Sequence, residues 1–187
     1  MVVAALLAAV VLGAALTLLR THGTLARALQ SGLAARSGAA WALGVVLRDV
    51  ALAGADPMLA GVVAVRSATP DRLELESDLD GDGVIDPASA ERLTLVYAAS
   101  AEGRLMRWVG RQSMSVASPV PSDGFRLRYF AADGAEIGGG AAALDEADRV
   151  RVCRVTVELA VRETPDHAGA ETRLRSAAAV RACLGRS

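Results

Sequence analysis

Positions 1 to 19, MVVAALLAAVVLGAALTLL, carry no charge, and the first ionisable side chain is Arg20. Interrupted only by Gly13 and Thr17, this run predicts a helix of about 28 Å, close to the hydrocarbon thickness of a bilayer. A signal peptide needs a basic start and a small-residue cleavage site; here the basic start is missing and the helical pattern does not stop. After Arg20 the apolar positions Leu25, Leu29, Leu33, Ala40, Leu43, Leu47 and Val50 recur at steps of three or four, with one gap at Arg36. They form a single stripe on an amphipathic helix. Gly54, Asp56 and Pro57 supply the first firm stop, so both parts predict one helix of about 80 Å. Glycines 23, 32, 38 and 44 each lower helix propensity by about 1 kcal/mol, which predicts a frayed or bent middle. A short anchor joined to a separate amphipathic helix is the simpler alternative.

From Gly61 the period changes from helical to two. Segments 61–67, 71–77, 92–98, 104–109, 124–131, 150–162 and 172–184 read as strands separated by Gly, Pro, Asp and Ser. Short, closely spaced strands favour antiparallel hairpins, with the stripe of the N-terminal helix covering one face. In RVRVCRVTVELAVRE the apolar phase slips once around Cys153 and Arg154, which predicts a β-bulge. With that bulge Val155 faces Val180, Val157 faces Ala178 and Val161 faces Leu174 across a turn in TPDHAGAE. Cys183 then lies diagonally across from Cys153, and directly opposite it without the bulge. The fold class is α+β: residues 1–20 a transmembrane part of the helix, 21–55 its amphipathic part, and 58–187 an antiparallel β domain.

Composition narrows the partners. Twenty basic against twenty-one acidic residues leave a net charge of -1, which gives no field to recruit nucleic acid. Every basic residue apart from two histidines is arginine, a bias that reflects a GC-rich coding sequence rather than chemistry. With 3% aromatic residues the core must be built from Val, Leu and Ala. Two cysteines, Cys153 and Cys183, suffice for one bridge in an oxidising compartment or remain as two thiols.

The densest chemistry is DLDGDGVID at residues 78 to 86. Asp78, Asp80 and Asp82 fall at positions 1, 3 and 5 of an EF-hand-type loop, Gly83 at 6, the Val84 carbonyl at 7 and Asp86 at 9. The twelfth position holds Ser89 where a bidentate acid belongs, with Glu91 two residues later. A weak structural Ca²⁺ site is one reading, and an acidic hairpin turn is the other. His22 and His167 have no companions at metal-ligand spacing. No nucleophile elbow is present, and the glycines at 138–140 lack the strand and Lys-Ser/Thr pair of a phosphate cradle. Nothing points to an enzyme.

The order of these features resembles a family. A long apolar-then-amphipathic helix, LRDVALAG at 47–54, DRLELESDLDGDGVID, GFRLRYFAADG and the terminal hairpin RVRVCRVTVELAVRE are similar to type IV pilin-like proteins, nearest to PilW-like minor pilins and J-type pseudopilins of type II secretion. The resemblance implies a structural subunit that initiates or caps a pilus or pseudopilus. Its partners would be other pilins or pseudopilins, bound through the helix, and the inner membrane, with a single pass and a periplasmic C-terminal domain. The family's basic leader and N-methylated glutamate are not in the sequence, and Arg20, His22, Arg27 and Arg36 all follow the apolar run, against the positive-inside rule. Both observations are met if a leader for a prepilin peptidase, together with the glutamate, lies upstream of Met1. A membrane-tethered periplasmic β domain that binds a ligand or partner outside any filament is the alternative.

Overall fold

The computed structural model describes residues 2–98, 103–140, 143–162 and 171–184, with side chains from Leu12 onward. Helix α1 runs uninterrupted over Val2–Leu52, about 76 Å, so the predicted single helix forms and the glycines do not break it. Alanine and leucine dominate, and the hydroxyls of Thr17, Thr21, Thr24 and Ser31 donate back to carbonyls three or four residues earlier, which removes their competition with the helix. Gly54 ends it at φ +73°, where a Cβ would sit 2.7 Å from that of Ala182 and 2.8 Å from that of Ala64.

Among the described residues no helix is long and apolar enough to cross a membrane. This overturns the expected single-pass inner-membrane localisation.

Among the described residues nine strands follow. β1 (Val65–Ala68), β2 (Arg72–Glu76), β3 (Arg92–Ala98), β4 (Arg104–Val109) and β5 (Gln112–Ala117) form one antiparallel meander in that order. β6 (Phe125–Phe130), β7 (Glu136–Ile137), β8 (Arg154–Arg162) and β9 (Glu171–Ala179) form a second sheet in the order β7-β6-β8-β9. β5, QSMSVA, escapes the sequence pattern because its first four positions are exposed and largely polar; the two-residue turn after Val109 folds it onto β4.

The C-terminal hairpin departs from expectation in three ways. A short helix, α2 (Glu146–Arg151), replaces the start of the predicted strand; Asp145 caps it by accepting from the Asp148 N–H at 2.8 Å. The phase slip at Cys153 and Arg154 is therefore the passage from helix to strand, not a β-bulge. The strand also stops at Ala179, and Arg181–Leu184 forms helix α3. The register differs too: Val155 pairs with Ala178, Val157 with Ser176 and Val161 with Thr172, two residues from the predicted partners. A two-residue shift keeps every side chain on its face, so alternation alone does not distinguish the two registers. The turn in TPDHAGAE, with His167, lies outside the described residues.

Cys153 and Cys183 form a disulfide with their Cα atoms 5.4 Å apart. It closes 30 residues of chain, a constraint worth about 3–4 kcal/mol against unfolding.

The core joins three layers. Leu73, Leu95 and Leu105 of the first sheet, Leu127, Val155, Val157 and Leu159 of the second, and Val46 and Val50 of α1 are all buried. The two sheets are stitched by the Leu127 N–H donating to the Pro70 carbonyl at 2.7 Å and by the Tyr129 hydroxyl donating to the Thr69 carbonyl at 2.6 Å. Among its described side chains α1 is docked through its C-terminal half: Ala39, Ala42, Leu43, Val46 and Val50 are buried, mainly against β8 and β9, as is Ala53 just past its end. Of the predicted stripe, Leu43 and Val50 are buried and Leu47 partly so, Ala40 faces solvent, and Leu25, Leu29 and Leu33 are exposed.

Candidate functional site

The chain between β2 and β3 is held at the C-terminal end of α1 by main-chain bonds. The Gly54 N–H donates to the Glu76 carbonyl at 2.8 Å, the Asp78 N–H to the Ala55 carbonyl at 2.7 Å, and the Ser77 hydroxyl to the Leu52 carbonyl at 2.9 Å. These bonds satisfy groups that a helix end leaves open, and they place the acidic loop at one pole of the molecule.

Two buried carboxylates shape that loop. Asp78, fully buried, accepts from the N–H groups of Gly81 at 2.7 Å and Gly83 at 3.0 Å. Glu91, 5% exposed, accepts from the N–H groups of Asp86 at 2.8 Å and Leu79 at 3.1 Å. The Asp86 N–H outweighs desolvation, and with further help from Leu79, Asp80 and Ser89 it holds the Glu91 carboxyl below its ordinary range. Asp80 moves the other way. The Asp82 N–H favours its charged form, but desolvation and the carboxylates of Asp82, Glu91 and Asp78 together raise it.

One carboxylate oxygen each from Asp78, Asp80 and Glu91 lies within 4.8 Å of the others. Of the predicted Ca²⁺ ligands the structure brings Asp78 and Asp80 together and adds Glu91. Asp82 instead accepts from the Val84 N–H at 2.7 Å, and Asp86 from the Ala88 N–H at 2.8 Å. Ser89 donates its hydroxyl to the Asp86 carbonyl at 3.0 Å and accepts from the Glu91 N–H at 3.1 Å, so it positions Glu91. An all-oxygen, triply anionic group suits a hard cation such as Ca²⁺; the same side chain to main chain bonds also make a stable acidic turn. Adding Ca²⁺ is expected to raise the melting temperature of the protein, and Asp80→Ala, at an exposed side chain, to remove the rise. Calorimetry that shows no shift in either protein would count against a cation here.

The neighbouring turn is apolar. The Asp56 carboxylate accepts from the N–H groups of Ala60 and Gly61, each at 2.8 Å, and of Val62 at 3.1 Å. Desolvation opposes the charge, yet these N–H groups hold Asp56 below its ordinary value. The turn they fix presents Leu59 at φ +55° and 90% exposure. It lies against the acidic loop, since a Cβ on Gly83 would be 3.4 Å from that of Ala60. Met58, Leu79 and Val84 are exposed beside it.

From about 24 to 60 Å away along α1 the free half has the opposite charge. Leu12, Leu16, Leu19, Leu25, Leu29 and Leu33 are exposed there, interspersed with exposed Arg20, Arg27 and Arg36. The one acid in α1 is Asp49, in the docked half. It is buried and accepts from Arg107 Nε at 2.7 Å and Nη2 at 2.9 Å, a bidentate pair between α1 and β4. The hydrogen bond that Arg107 donates to Asp49 raises the Arg107 pKa against desolvation. A lone acid next to Val50 in an otherwise apolar and basic helix was the available signal for this pair. No protein-family model, curated protein or solved structure matches the chain.

Proposed function

We propose that the chain is a structural assembly subunit of the type IV pilin kind, a minor pilin or J-type pseudopilin, that joins its neighbours through the free half of α1. One observation carries the reading. Leu25, Leu29 and Leu33 are 57%, 61% and 69% exposed, on the same helix whose later turns bury Leu43, Val46 and Val50 in the domain. A row of exposed leucines of that size on a folded protein marks a surface that is covered in an assembly. Helix packing against like helices covers it with the least rearrangement, because knobs from one stripe fit the holes of another. The α+β architecture, with a long N-terminal helix half docked on antiparallel sheets, supports the same reading. This function assigns no catalytic residue.

Sedimentation of the full chain is expected to show concentration-dependent association. Leu25→Asp/Leu29→Asp/Leu33→Asp is expected to return it to monomer with unchanged circular dichroism, since none of the three touches the core. A wild-type chain that stays monomeric throughout would overturn the reading.

A further inference from the structure

We infer that copies of this chain assemble head to tail, the basic free half of α1 of one copy seating on the acidic, apolar pole of the next; this rests on the assembly function proposed above. The two surfaces lie at opposite ends of one long helix. The acidic pole is tied to its C-terminal end through Gly54, Ala55 and Leu52, while the free half is the other end. Residues 77–91 hold Asp78, Asp80, Asp82, Asp86 and Glu91 and no basic residue; α1 holds Arg20, Arg27 and Arg36 and no acid before Asp49. Opposite fields of this kind attract and orient the approaching copy.

Both surfaces also expose apolar side chains that need cover. At the acidic pole these are Met58, Leu59, Leu79 and Val84, and on the free half they are the leucines between the arginines. Leu59 is the most pronounced. A β-carbon-bearing residue at positive φ is held there by the Asp56 clamp, and its side chain is 90% exposed. Backbone held in a disfavoured region to present an apolar side chain to water fits a contact made with something outside the monomer. Because the contact is heterologous and its two halves lie at opposite poles, repetition gives an open chain rather than a closed dimer.

Charge exchange tests this. A helix-acidic protein (Arg20→Glu/Arg27→Glu/Arg36→Glu) and a loop-basic protein (Asp80→Arg/Asp82→Arg/Asp86→Arg, which leaves Asp78 and Glu91 against three arginines) each carry like charges at both poles. Each alone is expected to associate at least about tenfold more weakly than wild type, and a one-to-one mixture to recover association, because each helix then meets an opposite pole. Leu59→Asp, at a side chain without a core role, is expected to weaken association while leaving the acidic loop intact. Wild-type association should fall with added salt. Parents that associate like wild type, or a mixture that stays dissociated, would overturn the contact. Association lost in the triple-leucine protein but unchanged in the charge variants and in Leu59→Asp would overturn the head-to-tail contact and leave the helix reading standing. A wild-type chain that never associates overturns both.

Discussion

Gly110→Ala is expected to destabilise the protein by about 2–5 kcal/mol, which for a chain of this size lowers the melting temperature by roughly 5–15 °C. Gly110 is the first residue of the turn between β4 and β5 and has φ +54°. Left-handed backbone costs a residue with a Cβ about 1–2 kcal/mol. A Cβ would also sit 2.1 Å from the Ala88 carbonyl oxygen and 2.7 Å from that of Ser89. Both obstacles are main chain, so relief requires moving either the hairpin or the segment that positions Glu91. The Gly110 N–H is meanwhile anchored to the Arg92 carbonyl at 3.0 Å, which prevents the hairpin from swinging away. Gly134→Ala is the control: its φ is +85°, but nothing lies within 4 Å of the new Cβ. Its expected loss is the backbone part alone, about 1–2 kcal/mol. Equal losses at the two positions by urea unfolding would show that the approach to Ala88 is not what requires glycine.

Asp49→Ala is expected to cost about 2–4 kcal/mol, because it leaves the Arg107 guanidinium without its bidentate partner. The Arg107 side chain keeps 21% of its surface in water and that of Asp49 only 5%, which places the loss toward the lower part of the range for a broken buried pair. Arg107→Met should cost a similar amount for the opposite reason, since it leaves a carboxylate nearly dry. Replacing both, Asp49→Leu/Arg107→Met, is expected to recover most of the loss, as apolar residues of similar volume fill the space without a desolvated charge. A double-mutant cycle by chemical denaturation, with Asp49→Leu and Arg107→Met as the single variants, measures this. Additive losses would show that the two residues act independently despite their geometry.

Much of the framework was legible in the chain. The three- and four-residue steps to Val50 and the stop at Gly54 describe the second half of α1, because a helix face and a left-handed terminus both have strong local signatures. Strands with apolar alternation, such as RLELE and FRLRYF, were visible for the same reason. β5 was not, because an edge strand whose first four residues are exposed has no buried face to alternate with. RVRV before Cys153 alternates as a strand would, yet a capping Asp145 and a tertiary position beside β1 make it the end of α2. The membrane span was inferred from hydropathy alone, and the described helix does not carry it.

In the candidate site, Asp78 and Asp80 could be named from the spacing of DLDGDGVID, but Glu91 could not be placed with them. Its carboxylate reaches the group only because β3 returns beside the end of β2, bringing residue 91 back to residue 79.

The linear order of residues by itself determined which faces are apolar, where helix and strand period change, where the acids cluster, and that acids and arginines are segregated between loop and helix. These are local properties, carried by spacing and residue type. Tertiary structure alone decided the β8–β9 register, the pairing of Asp49 with Arg107, the recruitment of Glu91, and the Cys153–Cys183 bridge. Each of those is a choice among arrangements that share the same periodicity, and only simultaneous packing of the helix and both sheets separates them. It also decided that one stripe on one helix has two fates. Leu43 and Val50 meet the domain because β8 and β9 lie beneath them, while Leu25, Leu29 and Leu33, with the same spacing and chemistry, extend past its edge into solvent.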